Sequence, residues 1–418
     1  MVKSIIVSKM CRNKLYTFII IFLTLAFSVF SQDKRSGYPQ KLKDILALDD
    51  VNEQKYRLTI FNEGFNEWLM QNDPAEADGV LKHTETGDKV FSIFYYTYQR
   101  SVNEVRYVLF VKYKDDRGEV QVHNFEQTVV PDVKSPEKLK DPVIRSSSRV
   151  IDGVKFYEVS FSAENDPLVW FKYSDLKLKC LFEEILKSKD DDRKNEINKS
   201  VLSRLRLLWN SQVDFENDFA GQLRMKTIFS EDGKVKLCTY GILFNDFTNR
   251  FYGAVIRRTD KDVEVFELSD KTDAIRSPSR VSLSNTKWYG AIYLDIIQRQ
   301  YQKKTYYTLL GYKGQDEFVK TRVVDVLWFP GNKPRFGAPV FKNDRYTYNR
   351  LIFKYSVGAN MVLRYDAKKK MIVMDNLEPS DAMYKGVYRF YGPDFTYNGY
   401  KFEKGKWVLY KNIDLRNE

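Results

Sequence analysis

Histidine is nearly absent from this 418-residue chain, which has two, His83 and His123. Neither stands near a cysteine or a G-x-S-x-G serine in sequence, so a nucleophile activated by a neighbouring imidazole is not indicated. There is no HExxH, no CxxC and no Cys/His cluster, which argues against a catalytic or structural zinc site. Glycines are scattered singly and form no phosphate-cradling loop. Lysine and arginine nowhere form a block of five or six, so the concentrated basic face that nucleic acid requires is missing. No period of about 20 to 50 residues recurs with a fixed signature, which disfavours a propeller or solenoid. No catalytic residue, cofactor or metal is assigned from these patterns.

What is present describes an exported globular protein. Hydrophobic residues make up 43% and charged residues 30% of the chain, a composition that builds packed cores. Residues 1–31 read as a signal peptide. Lys3, Lys9, Arg12 and Lys14 give a basic start, Leu15 to Phe30 is apolar, and cleavage is expected before Gln32. The apolar run is about 16 residues, short of the ~20 that a spanning helix needs, so no transmembrane segment is expected after cleavage. Cys11 precedes the run and cannot be a lipidated first residue. Loss of the leader takes the formal net charge from +12 to +8. Two cysteines remain, Cys180 and Cys238, and an oxidising compartment permits a disulfide between them.

Aromatics reach 15%, with 28 Tyr and 29 Phe, residues suited to the half-buried surface of a sheet. Residues 32–54 form an N-terminal segment in which Leu42, Ile45, Leu46 and Leu48 suggest one short helix. A β-rich domain is expected over 55–173. It opens with Tyr56, Leu58 and Ile60 alternating as a strand, then continues through 90–98 and 105–113, with a turn at Asp115 to Gly118. Turn signals fall at 72–74 and 78–79, and residues 131–148 read as a polar connection. Over 174–222 the period becomes helical. Leu178, Leu181, Phe182, Ile185 and Leu186 make one stripe, and Ile197, Val201, Leu205 and Leu208 make another. Asp190 to Asp192 suit the start of the second helix, against its positive end. A second β-rich domain is expected over 223–418, with turns at Glu231 to Gly233 and Thr259 to Lys261. Short turns between strands imply antiparallel pairing. The fold class is therefore mainly β with a helical insert: two antiparallel β domains of sandwich or open-barrel type, joined by a helical pair. The charge content and the lack of long alternating apolar faces speak against an outer-membrane barrel.

The C-terminal third carries a recognisable string. It runs through Lys287-Trp288-Tyr289-Gly290, Lys304 to Tyr312, Phe336-Gly337-Ala338-Pro339-Val340-Phe341, Leu363 to Asp366, Lys368 to Val373 and Phe390-Tyr391-Gly392-Pro393-Asp394. Together these resemble a group of uncharacterised exported proteins of Bacteroidetes bacteria over about residues 287–415, and the leader ending Val29-Phe30-Ser31-Gln32 is similar to theirs. The resemblance implies an address in the cell envelope, periplasmic or associated with the outer membrane, and supplies no catalytic residue. In physical terms Gly290, Gly311, Gly337 and Gly392 mark turns or close backbone approach.

Two carboxylates interrupt apolar strands, Asp295 and Asp325. Alternation places Asp325 on a solvent face, and a glycan hydrolase with paired carboxylates is the alternative these acids leave open. The favoured expectation is a non-enzymatic binding or assembly component of the envelope. It would hold a protein or glycan partner on a sheet face; Trp288, Trp328, Trp407, Tyr306, Tyr307 and Tyr312 are the aromatics such a face would use, although the favoured reading of each Trp is as sheet core.

Overall fold

The structure, a computed structural model, describes residues 37–72, 80–101, 104–129, 142–163, 171–173, 175–219 and 225–415. The leader, the turn signals at 73–74 and 78–79 and residues 131–141 of the expected connection lie outside the described residues, while 142–148, read as connection, are strand. Strands outweigh helices, 47% against 24%, and the fold is mainly β with a helical insert. The chain forms two compact units. One comprises residues up to 147 with 160–171, and the other comprises 148–159 and 172–418.

The first unit starts with α1 (Gly37–Leu46) and α2 (Val51–Gln71). The strand expected at Tyr56 to Ile60 is therefore helix. Gln54, Leu58, Phe61, Phe65 and Leu69 are the buried positions of α2, and steps of three and four outrank a three-residue alternation. Asp50 caps α2 by accepting from the backbone of Asn52 and Glu53. The helices lie on a four-stranded antiparallel meander, β1 (Lys82–Glu85), β2 (Ser92–Ser101), β3 (Glu104–Lys114) and β4 (Val120–Val129). Phe61 and Phe65 pack with Phe94, Tyr96 and Phe110 in their shared core. The turn between β3 and β4 falls where Asp115 to Gly118 predicts it, with Asp115 accepting from the backbone of Arg117 and Glu119.

Strands β5 (Pro142–Ile151), β6 (Val154–Ala163) and β7 (Phe171–Tyr173) form a three-stranded sheet. Helices α3 (Leu176–Lys187) and α4 (Asp191–Trp209) follow. The acidic triplet acts as expected, for Asp190 caps α4 through the backbone N–H groups of Asp192 and Arg193. These helices are not a free-standing connector. Their apolar stripes lie on the sheet of β8 (Met225–Phe229), β9 (Val235–Leu243), β10 (Asn249–Arg258) and β11 (Val263–Ser269), where Leu205, Trp209 and Phe182 meet Tyr240, Ile242 and Ile256. A stripe that wide needs an apolar partner, and this sheet face provides it.

Two further sheets complete the second unit. The first is built from β12 (Leu283–Ser284), β13 (Ile292–Tyr301), β14 (Lys304–Gln315), β15 (Val319–Trp328), β16 (Arg335–Phe336) and, paired to β15, β19 (Leu351–Ser356). The second contains β17 (Phe341–Lys342), β18 (Thr347–Tyr348), β20 (Leu363–Asp366), β21 (Met371–Pro379), β22 (Tyr391–Glu403) and β23 (Lys406–Tyr410). Pairing is antiparallel except between β17 and β23. The unit is thus layered as helices, sheet, sheet, sheet. The middle sheet is covered on both faces: Val323 and Leu327 enter the core shared with β8–β11, while Val324 and Val326 enter the core shared with β17–β23. Trp288 and Trp407 are fully buried in these two cores. Each such ring removes about 150–250 Å² from water, roughly 4–6 kcal/mol at ~25 cal/mol/Å².

Candidate functional site

The aromatics offered for a sheet-face platform pack into the sheets, the favoured reading of each Trp. Trp288, Trp407 and Tyr307 are buried, and Trp328, Tyr306 and Tyr312 are partly buried. With the middle sheet covered twice, its aromatics serve as core. Asp325 is likewise not on a solvent face. It is fully buried, and its Oδ2 accepts from Arg350 Nε at 2.6 Å and from the Tyr293 hydroxyl at 3.2 Å. Trp288 Nε1 in turn donates to that hydroxyl at 3.1 Å. Asp295 is exposed at a β-bulge and accepts from the backbone of Ile296. Asp295 and Asp325 therefore do not form a hydrolytic pair, since one of them is sealed by a guanidinium.

The remaining sequence candidates are structural. His83 stacks on Phe94, and His123 is buried against the Tyr113 hydroxyl at 3.1 Å; both belong to the first unit. The disulfide permitted between Cys180 and Cys238 is not formed. Both are buried thiols, one on α3 and the other on β9, and Cys238 Sγ accepts from Thr227 across the β8–β9 pair. Burial pushes both thiols up, away from the reactive thiolate. Among the described residues no group of three or more His, Cys, Asp and Glu is arranged to hold a metal. Asp375 and Asp394 titrate apart. Burial pushes Asp375 up and the Asp394 charge adds to this, whereas hydrogen bonds from Thr396 and Asn376 hold Asp394 low against burial. Asp375 is closed to a substrate, however, because it is 6% exposed and accepts from the backbone of Val362.

The second unit carries a cleft of about 1040 Å³ that sequence did not single out. Its walls are the start of β10, the end of β11 with the 3₁₀ turn Thr272–Ala274, Tyr289, and the facing parts of β14, β15 and β19. Lys313 of β14 is its central group. Nζ donates to Thr272 Oγ1 at 2.6 Å and to the Gly290 carbonyl at 2.7 Å, and lies 4.1 Å from the centre of the Tyr289 ring. Asp270 holds the frame around it. Its Oδ1 accepts from the Thr272 hydroxyl at 2.6 Å and from the Thr272 and Gly290 backbone, and its Oδ2 accepts from Phe251. Lys313 and Asp270 are thus linked through one hydroxyl and share no direct ion pair. Gly290 is required here, since a Cβ would stand 2.5 Å from the Asp270 carboxyl carbon. Burial pushes the Lys313 ammonium down to about 8, although Asp270 and Asp273 pull it back up.

The charges lining the cleft are unevenly committed. Of its five carboxylates, Glu267 is taken by a two-pronged Arg206 contact, Asp270 by the Thr272 frame, and Asp246 and Asp316 spend an oxygen each on backbone N–H groups of their own turns, while Asp273 is exposed. The four cations, Arg250, Lys271, Lys313 and Lys354, have no carboxylate at ion-pair distance among the described residues. Three of them rest on rings instead: Arg250 on Phe244 at 4.5 Å, Lys354 on Tyr388 at 5.5 Å and Lys313 on Tyr289. A ring face steadies a cation without neutralising it, so positive charge stays available beside the partly buried ring of Tyr252 and the exposed ring of Phe247. No protein-family model matches the sequence, and no curated protein matches it. No described helix is long and apolar enough to cross a membrane.

Proposed function

We propose that the chain is exported behind the leader 1–31 and works in the cell envelope as a non-enzymatic binding protein whose cleft takes an acidic glycan. The observation that carries this is the set of four cleft cations without carboxylates at ion-pair distance, while four of the five cleft carboxylates are engaged elsewhere and only Asp273 makes no hydrogen bond among the described residues. A uronate or sulfated sugar supplies the missing anions, and its ring faces suit aromatic walls. The envelope address rests on the leader and on the resemblance of residues 287–415. Hydrolysis is the weaker reading, because every cleft carboxylate except Asp273 is tied to an arginine or to backbone N–H groups, which leaves no pair of free acids there.

Calorimetric titration with tetragalacturonate, a sulfated tetrasaccharide and neutral maltotetraose tests this reading. The two acidic probes are expected to bind, to weaken with added salt, and to lose about tenfold or more with Lys313→Met. Equal binding of neutral and acidic probes, or none at all, would sink it. Release of reducing ends from either acidic probe would move the assignment to the hydrolase.

A further inference from the structure

Adjoining the cleft, and sharing Asp246, Phe247, Asp316 and Val319 with it, is a shallow groove of about 530 Å³. Three separate stretches of the second unit build it: 246–247 after β9, 316–319 at the start of β15, and 386–389 before β22. Four large apolar side chains lie open there, Phe247 at 55% exposure, Phe318 at 48%, Tyr388 at 43% and Val387 at 42%. Single exposed apolar residues are ordinary, but four converging on one concavity from three stretches are not. Phe247 is moreover held at φ +61, a backbone conformation that bulky residues avoid unless the surroundings impose it.

The rim decides what fits. Asp246, Asp316 and Glu317 stand against one cation, Arg389, on a chain whose formal net charge is +12. Asp246 and Asp316 each use Oδ1 to hold the turn that presents Phe247 or Phe318. Arg389 lies over the Phe318 and Phe390 rings. An acidic rim repels the same rim of a second copy and any acidic ligand, and it attracts a basic segment.

We propose that this groove docks a segment of a protein partner in which large apolar side chains are flanked by lysine or arginine. The apolar residues cover Phe247, Phe318, Val387 and Tyr388, and the flanking cations meet Asp246, Asp316 and Glu317. The proposal is separable from the glycan reading, because Glu317, Phe318, Val387 and Tyr388 line the groove and not the cleft, and the ligand charge is opposite.

The test is fluorescence polarisation on the full chain with a labelled hexapeptide, leucine and phenylalanine between two lysine pairs. Two control peptides replace the lysines by glutamate or the apolar pair by serine. The first peptide is expected to bind and both controls to fall at least about tenfold. Glu317→Lys, at an exposed position with no side-chain hydrogen bond among the described residues, is expected to weaken the lysine peptide about fivefold or more and to leave titration with tetragalacturonate unchanged. Phe318→Ser is expected to weaken the lysine and glutamate peptides alike. Equal affinity for the lysine and glutamate peptides, or no effect of Glu317→Lys, would overturn the proposal. So would sedimentation showing that the groove joins two copies of the chain and that Glu317→Lys separates them.

Discussion

Two cations face the ring of Tyr289, Arg350 with its guanidinium carbon 5.4 Å from the centre and Lys313 at 4.1 Å. They differ in almost everything else. Arg350 is fully buried and paired to a fully buried carboxylate, with Nη1 donating to the Pro278 carbonyl at 2.7 Å. Lys313 is half-buried, faces a cleft, and donates to a hydroxyl and a carbonyl. The first arrangement closes a charge inside the fold, where its loss is felt as stability. The second keeps a charge without a counter-ion, where its loss is felt as binding. The separation of these two roles is why the binding proposal rests on the cleft and not on the buried pair.

The strongest way to break the comparison is at Asp325. Asp325→Ala leaves the Arg350 guanidinium buried without its counter-charge, and a loss of about 3–5 kcal/mol is expected in chemical denaturation. The double variant Asp325→Leu with Arg350→Met, which removes both charges, is expected to recover most of that loss. If the single and double variants are equally unstable, the pair matters for shape and not for charge. Gly290→Ala comes next. It drives a methyl group against the Asp270 carboxylate and is expected to cost about 1–3 kcal/mol, with ligand binding falling as the Thr272 frame shifts. Lys313→Met reverses the balance. About 1–2 kcal/mol of stability is expected to go with its two hydrogen bonds, while acidic-glycan affinity falls about tenfold or more. A large stability loss with unchanged affinity would place Lys313 beside Arg350 as a structural cation.

Much of the fold was legible in the sequence, and the failures have physical causes. The turns at Asp115 to Gly118 and Glu231 to Gly233, and the cap at Asp190, were readable because each depends on a few neighbouring residues. The helix α2 was readable in principle from Leu58, Phe61, Phe65 and Leu69, but three alternating residues at Tyr56 to Ile60 masked it locally. Asp325 misled because alternation identifies a solvent face only when one face of the sheet is wet, and the middle sheet is dry on both. That second cover comes from β17–β23, which no pattern within β15 announces. Lys313 left a faint signal. It follows Tyr307, Leu309 and Gly311 at even steps, on the face of β14 that enters the β8–β11 core. A lysine in that register has to be capped by polar groups, yet its partners Thr272 and Gly290 come from separate stretches 41 and 23 residues away. The groove at Phe247, Phe318 and Tyr388 is assembled from three stretches and had no local trace at all.

The smallest expected effect is also the one that separates the two cations most cleanly, because Lys313 titrates within reach of ordinary buffers. Its folded pKa of about 8 lies below the ordinary 10.5, so the unfolded chain holds a proton that the folded chain releases between those values. Folding stability contributed by this group therefore rises as pH climbs from about 8 towards 10.5, and below about 8 the cost of burying the charge is fully present. Binding of an acidic ligand runs the other way. It needs the charged ammonium and should weaken as pH passes about 8. Asp270, Asp273, Arg350 and Lys354 are the charges that act on this proton, and Lys179, Lys187 and Lys236 are also pushed down by burial. The quantity to measure is thus the difference between the natural chain and Lys313→Met, in denaturation midpoint and in tetragalacturonate affinity, from pH 7 to 10. Opposite slopes in the two differences identify one lysine acting on both. Parallel slopes, or a flat binding difference, would mean that the ligand does not meet Lys313.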